Sequence, residues 1–140
     1  MKISTTRFGE IEVAEGQVYA FPEGILGFAD LKRYAVFAPK AGPFQWLQSA
    51  EMPSLAFVVT DPSMFFPDYR VQVRPEDLAA IRLSDTAQGV VLVILTVPRD
   101  PKEITANLVG PLVFNAAEKL ARQMVLADPK YATKHRLFPG

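Results

Sequence analysis

The chain of 140 residues contains no cysteine, so disulfides, thiol catalysis and thiolate metal sites are excluded. It has a single histidine, His135. One imidazole cannot supply the three or four protein ligands of a usual zinc site, so no metal is expected. A Ser-His-Asp relay needs its histidine held by a carboxylate and aimed at a hydroxyl. His135, between Lys134 and Arg136 near the C-terminus, reads as a surface residue instead. An excess of either charge is also missing, since 15 basic residues balance 15 acidic ones. There is no global basic field for phosphate, and nucleic acid is not an expected partner. Neither GxxxxGK[ST] nor GxGxxG occurs, so the usual nucleotide loops are absent and no cofactor is expected. The longest strongly apolar run is Val90–Leu95, far short of the ~20 residues that span a bilayer. The first ten residues hold no apolar signal core, which predicts a cytoplasmic protein.

Proline, by contrast, is plentiful: twelve residues spread along the whole chain. Long helices would be interrupted by them, whereas short strands divided by turns tolerate them. The pattern agrees. Ile3 and Thr5, then Ile11 and Val13, alternate with polar neighbours around Gly9, which predicts a hairpin. Short strands are expected at 18–21, 34–38, 44–48 and 55–60. Tyr69, Val71 and Val73 alternate with Arg70, Gln72 and Arg74, as in a half-exposed strand with a basic outer face. The β-branched run 90–97 predicts a buried central strand, with 104–109 and 112–115 completing the set. Pro75-Glu76-Asp77 before Leu78 predicts a short helix. Ala117, Leu120, Ala121 and Met124 carry helical spacing over 115–124. The sum is a mainly β fold: a small antiparallel or mixed β-barrel-like single domain with one or two short helices. Residues 1–127 are expected to form that domain, and 128–140 a C-terminal tail open to fraying.

Three constellations bear on function. Asp61 and Asp68 bracket one loop and could act as an acid–base pair, or could each close an Asx turn. Phe65 and Phe66 lie side by side between two prolines. Adjacent residues of an extended loop point apart, so either both fold back onto the barrel end or one stays available as an interface anchor. Charge is uneven despite its zero sum: Phe8 to Leu31 holds Glu10, Glu12, Glu15, Glu23 and Asp30 and no base. Such a segment can dock on a basic protein, or can be an ordinary solvated face. A further reading is a small-ligand-binding β-barrel with an interior pocket lined by Trp46, Phe57 and Tyr69.

Several phrases stand together in one order: Thr6-Arg7-Phe8-Gly9-Glu10, Phe21-Pro22-Glu23-Gly24-Ile25-Leu26-Gly27-Phe28, Phe44-Gln45-Trp46-Leu47-Gln48 and Leu55-Ala56-Phe57-Val58-Val59. Asp61-Pro62, Phe66-Pro67-Asp68-Tyr69, Thr96-Val97-Pro98, Thr105-Ala106-Asn107-Leu108, Pro111 and Asn115 follow. Together they resemble the family of the flagellar assembly factor FliW, from near the first residue to about Leu126. The resemblance implies a mostly β, barrel-like bacterial cytoplasmic protein without catalysis. It implies two partners: flagellin and the translational repressor CsrA. FliW freed from exported flagellin would capture CsrA and relieve repression of flagellin synthesis. On that footing Glu10, Glu12, Glu15 and Glu23 are expected to face CsrA. Phe65, Phe66, Tyr69, Asn107 and Asn115 are expected to face flagellin. A monomer is expected in isolation. The resemblance also favours a turn or single helical turn at 116–119 and a strand near 121–127 over the helix that propensity suggests there.

Overall fold

In the computed structural model, which describes residues 1–138, the chain begins with a hairpin of β1 (Lys2–Thr5) and β2 (Gly9–Glu12). Gly9 turns it at φ +68°, a left-handed conformation that strains any residue with a Cβ. The Thr5 hydroxyl accepts from the Phe8 N–H at 2.8 Å and donates to the Gly9 carbonyl at 2.7 Å, closing the loop on itself. Ile3 pairs with Ile11, and Ile3 and Val13 bury against Ala35 on the outside of the main sheet.

That sheet starts with β3 (Val18–Ala20), β4 (Arg33–Phe37), β5 (Phe44–Ser49) and β6 (Ala56–Thr60), each antiparallel to the next. The one α-helix among the described residues, α1 (Pro75–Ala79), follows, with proline in its first turn and Glu76 and Asp77 near its positive end. β7 (Val90–Thr96) pairs with β6. Its other edge is shared by β8 (Thr105–Ala106) and β9 (Leu112–Asn115). β10 (Leu120–Gln123) runs antiparallel to β9 and meets β3 in parallel through one pair, Leu120 with Ala20. β11 (His135–Arg136) adds to β8. The β7–β9 pairing closes β3, β4, β5, β6, β7, β9 and β10 into a seven-stranded barrel. Alternate side chains fill it: Phe21, Tyr34, Leu47, Val59, Leu112 and Phe114 are each at most 2% exposed. Phe21 meets Tyr34 and Phe114 edge to face at 5.1 and 5.7 Å. The fold is mainly β, a small barrel with one short helix, as the strand pattern predicts.

Four places bear on the sequence expectation. Residues 69–73 keep their alternating burial but have no ladder partner, so they are extended and not a strand. Val71 and Val73 are half-buried because they pack over Leu78, Ile81 and Met124, and that packing produces the alternation. The expected strand over 104–109 shortens to β8: the Asn107 N–H still reaches the Ile94 carbonyl of β7 at 2.9 Å, and the chain then bends away over 108–110. Residues 116–119 form a turn, as the resemblance implies, ended by Lys119 at φ 56°, and the strand that follows, β10, is shorter than the expected 121–127 and stands where propensity alone suggests a helix. Pairing with β9 outweighs that local preference. Finally, the segment from Asp128 carries β11 and buries Leu137 against Ile104 and Leu108. Pro139 and Gly140, the end of the expected tail, lie outside the described residues.

Candidate functional site

Beyond β6, Pro62–Met64 makes one 3-10 turn, started by Asp61, whose carboxylate accepts from the Ser63 N–H at 2.9 Å and its hydroxyl at 2.8 Å. Asp61 thus closes an Asx turn. The turn delivers Phe65 and Phe66 to the side of the barrel where β8 and β11 lie. Phe65 stacks on Phe44 with ring centroids 6.1 Å apart and meets Phe138 edge-on. Phe66 meets the His135 ring edge-on at 6.3 Å. Neither ring is a pure core plug: both remain half-buried. Tyr69 packs against Tyr131 at 4.8 Å and donates its hydroxyl proton to the Leu108 carbonyl at 2.6 Å. Burial, with a smaller contribution from Tyr131, pushes the Tyr69 hydroxyl well above the ordinary tyrosine range.

Asn107, half-buried in the chain just beyond β8, accepts the Gly110 N–H at 2.9 Å. Asn115 is elsewhere, at the end of β9. Its amide donates to the carbonyls of Ile81 and Arg82, and its oxygen accepts from the N–H groups of Ala117 and Glu118. The structure therefore brings Phe65, Phe66 and Tyr69 into one apolar cluster and sets Asn115 apart, buried, as the clamp that holds the 116–119 turn to the segment after α1.

The acidic residues divide in the same way. Glu10 and Glu12 project outward from one side of β2, Glu10 toward Lys2 at 3.7 Å and Glu12 toward the N-terminal ammonium at 3.2 Å. Glu15 begins the 3-10 turn that leads into β3 and, among the described residues, has no cation within 4 Å. Glu23 follows β3 and reaches Arg122 of β10 at 3.9 Å.

Two sequence readings are corrected. His135 is half-buried on β11, and its Nε2 accepts the Ala132 N–H at 2.8 Å, because its ring packs between Phe66 and Tyr131. The expected interior ligand pocket of Trp46, Phe57 and Tyr69 does not assemble: Trp46 and Phe57 border an open cleft of about 540 Å³ on the outside, and Tyr69 takes no part in it. Trp46 is on the outer side of β5, where the Arg7 guanidinium covers its ring at 4.7 Å, and Tyr69 lies outside the barrel altogether. The interior is filled by side chains, as in barrels of this size. Sequence reasoning missed the outer cluster itself. Phe8 contacts both Trp46 and Phe37 edge-on at 5.3 Å, and Arg7, Phe44, Val58 and Val97 border a cleft of about 540 Å³ beside it. The Arg7-Phe8 pair at the hairpin tip, read with the outward phase of Phe44 and Trp46, was the available signal.

Comparison with known proteins returns one family. The family model for the FliW protein matches residues 2–137. A flagellar assembly factor FliW from Natranaerobius thermophilus is 46% identical over 140 residues, covering 99% of this chain and 93% of that protein. One from Geotalea uraniireducens is 42% identical over 139 residues, covering 99% and 85%. A crystal structure of the flagellar assembly factor FliW superimposes with a TM-score of 0.92 at 36% identity, covering 100% of this chain and 99% of the other.

Proposed function

Because this chain belongs to the FliW family, we propose that it is a flagellar assembly factor that works by occupying other polypeptides, with flagellin and CsrA as alternating partners. The length of the match supports this reading most: relatives named as assembly factors align from end to end, not over one motif. Partner exchange is linkage. Whatever favours one complex depletes the other, even where the two partners touch different surfaces.

In this reading flagellin meets the aromatic cluster of Phe65, Phe66 and Tyr69 with Asn107 beside it, and Asn115 holds the neighbouring turn in place. Half-buried aromatic rings fixed by their neighbours suit an interface anchor, since little freedom is left to lose on binding. CsrA meets the acidic side, where Glu10, Glu12 and Glu15 project from the hairpin and the turn after it, with Glu23 further round the barrel. The protein acts as a cytoplasmic monomer, without a cofactor.

The test is capture of purified flagellin and CsrA, alone and in competition, at two salt concentrations. Competition between the two, with CsrA capture weakening at higher salt, is the expected result. A Glu10→Lys, Glu12→Lys, Glu15→Lys variant loses the salt-sensitive part of CsrA binding. A chain that captures neither partner overturns the reading.

A further inference from the structure

Residues 70–74 and 122–128 are two extended stretches that border a continuous cleft, with Gln72, Leu126 and Ala127 common to its two halves of about 440 and 410 Å³. Backbone polar groups alternate sides along an extended chain. Met124 and Leu126 donate their N–H groups to Pro111 and Val109, so Val125 and Ala127 present theirs on the opposite edge, where among the described residues nothing accepts them. On the facing stretch, the Arg70 N–H bonds the Tyr131 hydroxyl at 3.1 Å. Gln72, two residues on and on the same edge, has an N–H and a carbonyl with no partner among the described residues. Two sheet-like edges therefore border one gap without a ladder in it.

The side chains around the gap carry a sign. Arg70, Arg74, Arg122 and Lys130 stand against Asp77 and Asp128. Asp77 is placed between two guanidinium groups, 3.4 Å from Arg74 and 3.4 Å from Arg122. Bases outnumber acids even when Glu23, on Arg122 from outside, is included. Val125, 68% exposed, gives the gap an apolar wall, and its neighbour Gln123 accepts the N–H of Leu26, which is 72% exposed. These are the two most exposed large apolar side chains among the described residues.

We propose that this cleft takes up one extended strand of a partner polypeptide, with acidic side chains toward Arg74 and Arg122 and apolar ones toward Val125, so that the strand pairs with both open edges. Main-chain hydrogen bonds supply the affinity of such strand addition, and the alternating side chains supply the selectivity. The inference rests on the reading of this chain as a protein-binding factor and adds the place and the shape of the contact.

The probe is the capped hexapeptide Val-Glu-Val-Glu-Val-Glu, titrated against the full chain and followed by backbone amide NMR. Saturable shifts confined to 70–74 and 122–128 are expected, at peptide concentrations of about 1 mM. Binding at least ten-fold weaker is expected for the peptide with lysine in place of glutamate. Val125→Pro removes a donor that serves no internal bond, so it should abolish the shifts while amides elsewhere stay in place. Should that variant not fold, Arg70→Glu with Arg74→Glu leaves the backbone alone and should reverse the preference between the two peptides. Shifts that scatter over the surface, or equal binding of both peptides, overturn the proposal. Flagellin and CsrA capture by the unaltered chain, measured alongside, separates the two ideas. If both are captured but the peptides ignore the cleft, only the strand site falls; if neither is captured, the partner reading falls whatever the peptides do.

Discussion

Tyr34 and Tyr69 have the same chemistry and opposite circumstances. The Tyr69 hydroxyl donates to Leu108, whereas the Tyr34 hydroxyl is buried in the barrel with no hydrogen-bond partner among the described residues. Burial, reinforced by Glu51, pushes the Tyr34 hydroxyl up to about 12. An unpaired buried hydroxyl costs free energy. Tyr34→Phe should therefore be neutral or stabilising by about 1 kcal/mol, while Tyr69→Phe, which leaves the Leu108 carbonyl unmet, should destabilise by about 1 kcal/mol. Urea melts of the two variants at pH 8 check both signs. The folded-state values are raised, so these tyrosines contribute stability that is fully present below their unfolded value of about 10. As pH rises beyond that, the unfolded chain releases protons that the folded chain keeps, and stability falls through the folded value of Tyr34, about 12. Tyr34→Phe should flatten part of that alkaline decline.

Elements were legible in the sequence where their pattern had one cause. The hairpin follows from alternation around Gly9, the meander from β3 to β6 from short runs divided by proline-containing turns, and β7 from an unbroken β-branched run. Residues 69–73 were misread because burial over the segment after α1 imitates the alternation of a strand, and sequence carries no record of hydrogen-bond partners. The turn before β10 was hidden by good helix formers and became readable only through the family's phrases. Among the site residues, the acids and the paired phenylalanines could be picked out by composition. The inward-turned task of Asn115 could not, since two of its four partners, the Ile81 and Arg82 carbonyls, come from a distant stretch of the chain. Asn115→Ala should cost about 2 kcal/mol, because it strips buried carbonyls and N–H groups of their partner; a denaturation midpoint measures it. The loop after β3 offers a sharper contrast. At Gly24, φ is +68° and an added Cβ would come within 2.7 Å of the Ala29 Cα, whereas at Gly27, φ +89°, nothing lies within 4 Å. Gly24→Ala should thus lower the melting temperature clearly more than Gly27→Ala, since only the first adds a collision with backbone to the conformational strain.

For the molecule as a whole, the packed fold extends past Ala127, outside the ring of the barrel. Leu137 is buried with Ile104 and Leu108, and Tyr131 braces Tyr69, so the last described stretch covers one side of the sheet. Removal of residues 128–140 should destabilise the chain by about 2–3 kcal/mol, the value of uncovering a leucine and part of an aromatic ring. It should also weaken flagellin capture by loosening the aromatic cluster. Thermal melts and capture assays on the shortened chain check the two effects separately.

The circle of strands is joined in parallel at only one place, between Ala20 and Leu120, and there by a single rung. Every other junction in the ring is an antiparallel ladder of three or more pairs. The wall should therefore breathe first along that seam, which the Lys119 carbonyl and the Ala20 N–H hold shut at 2.9 Å. Hydrogen exchange should find the Ala20 amide released well before those of Leu47 or Val59, a zip fastener that opens from its last tooth.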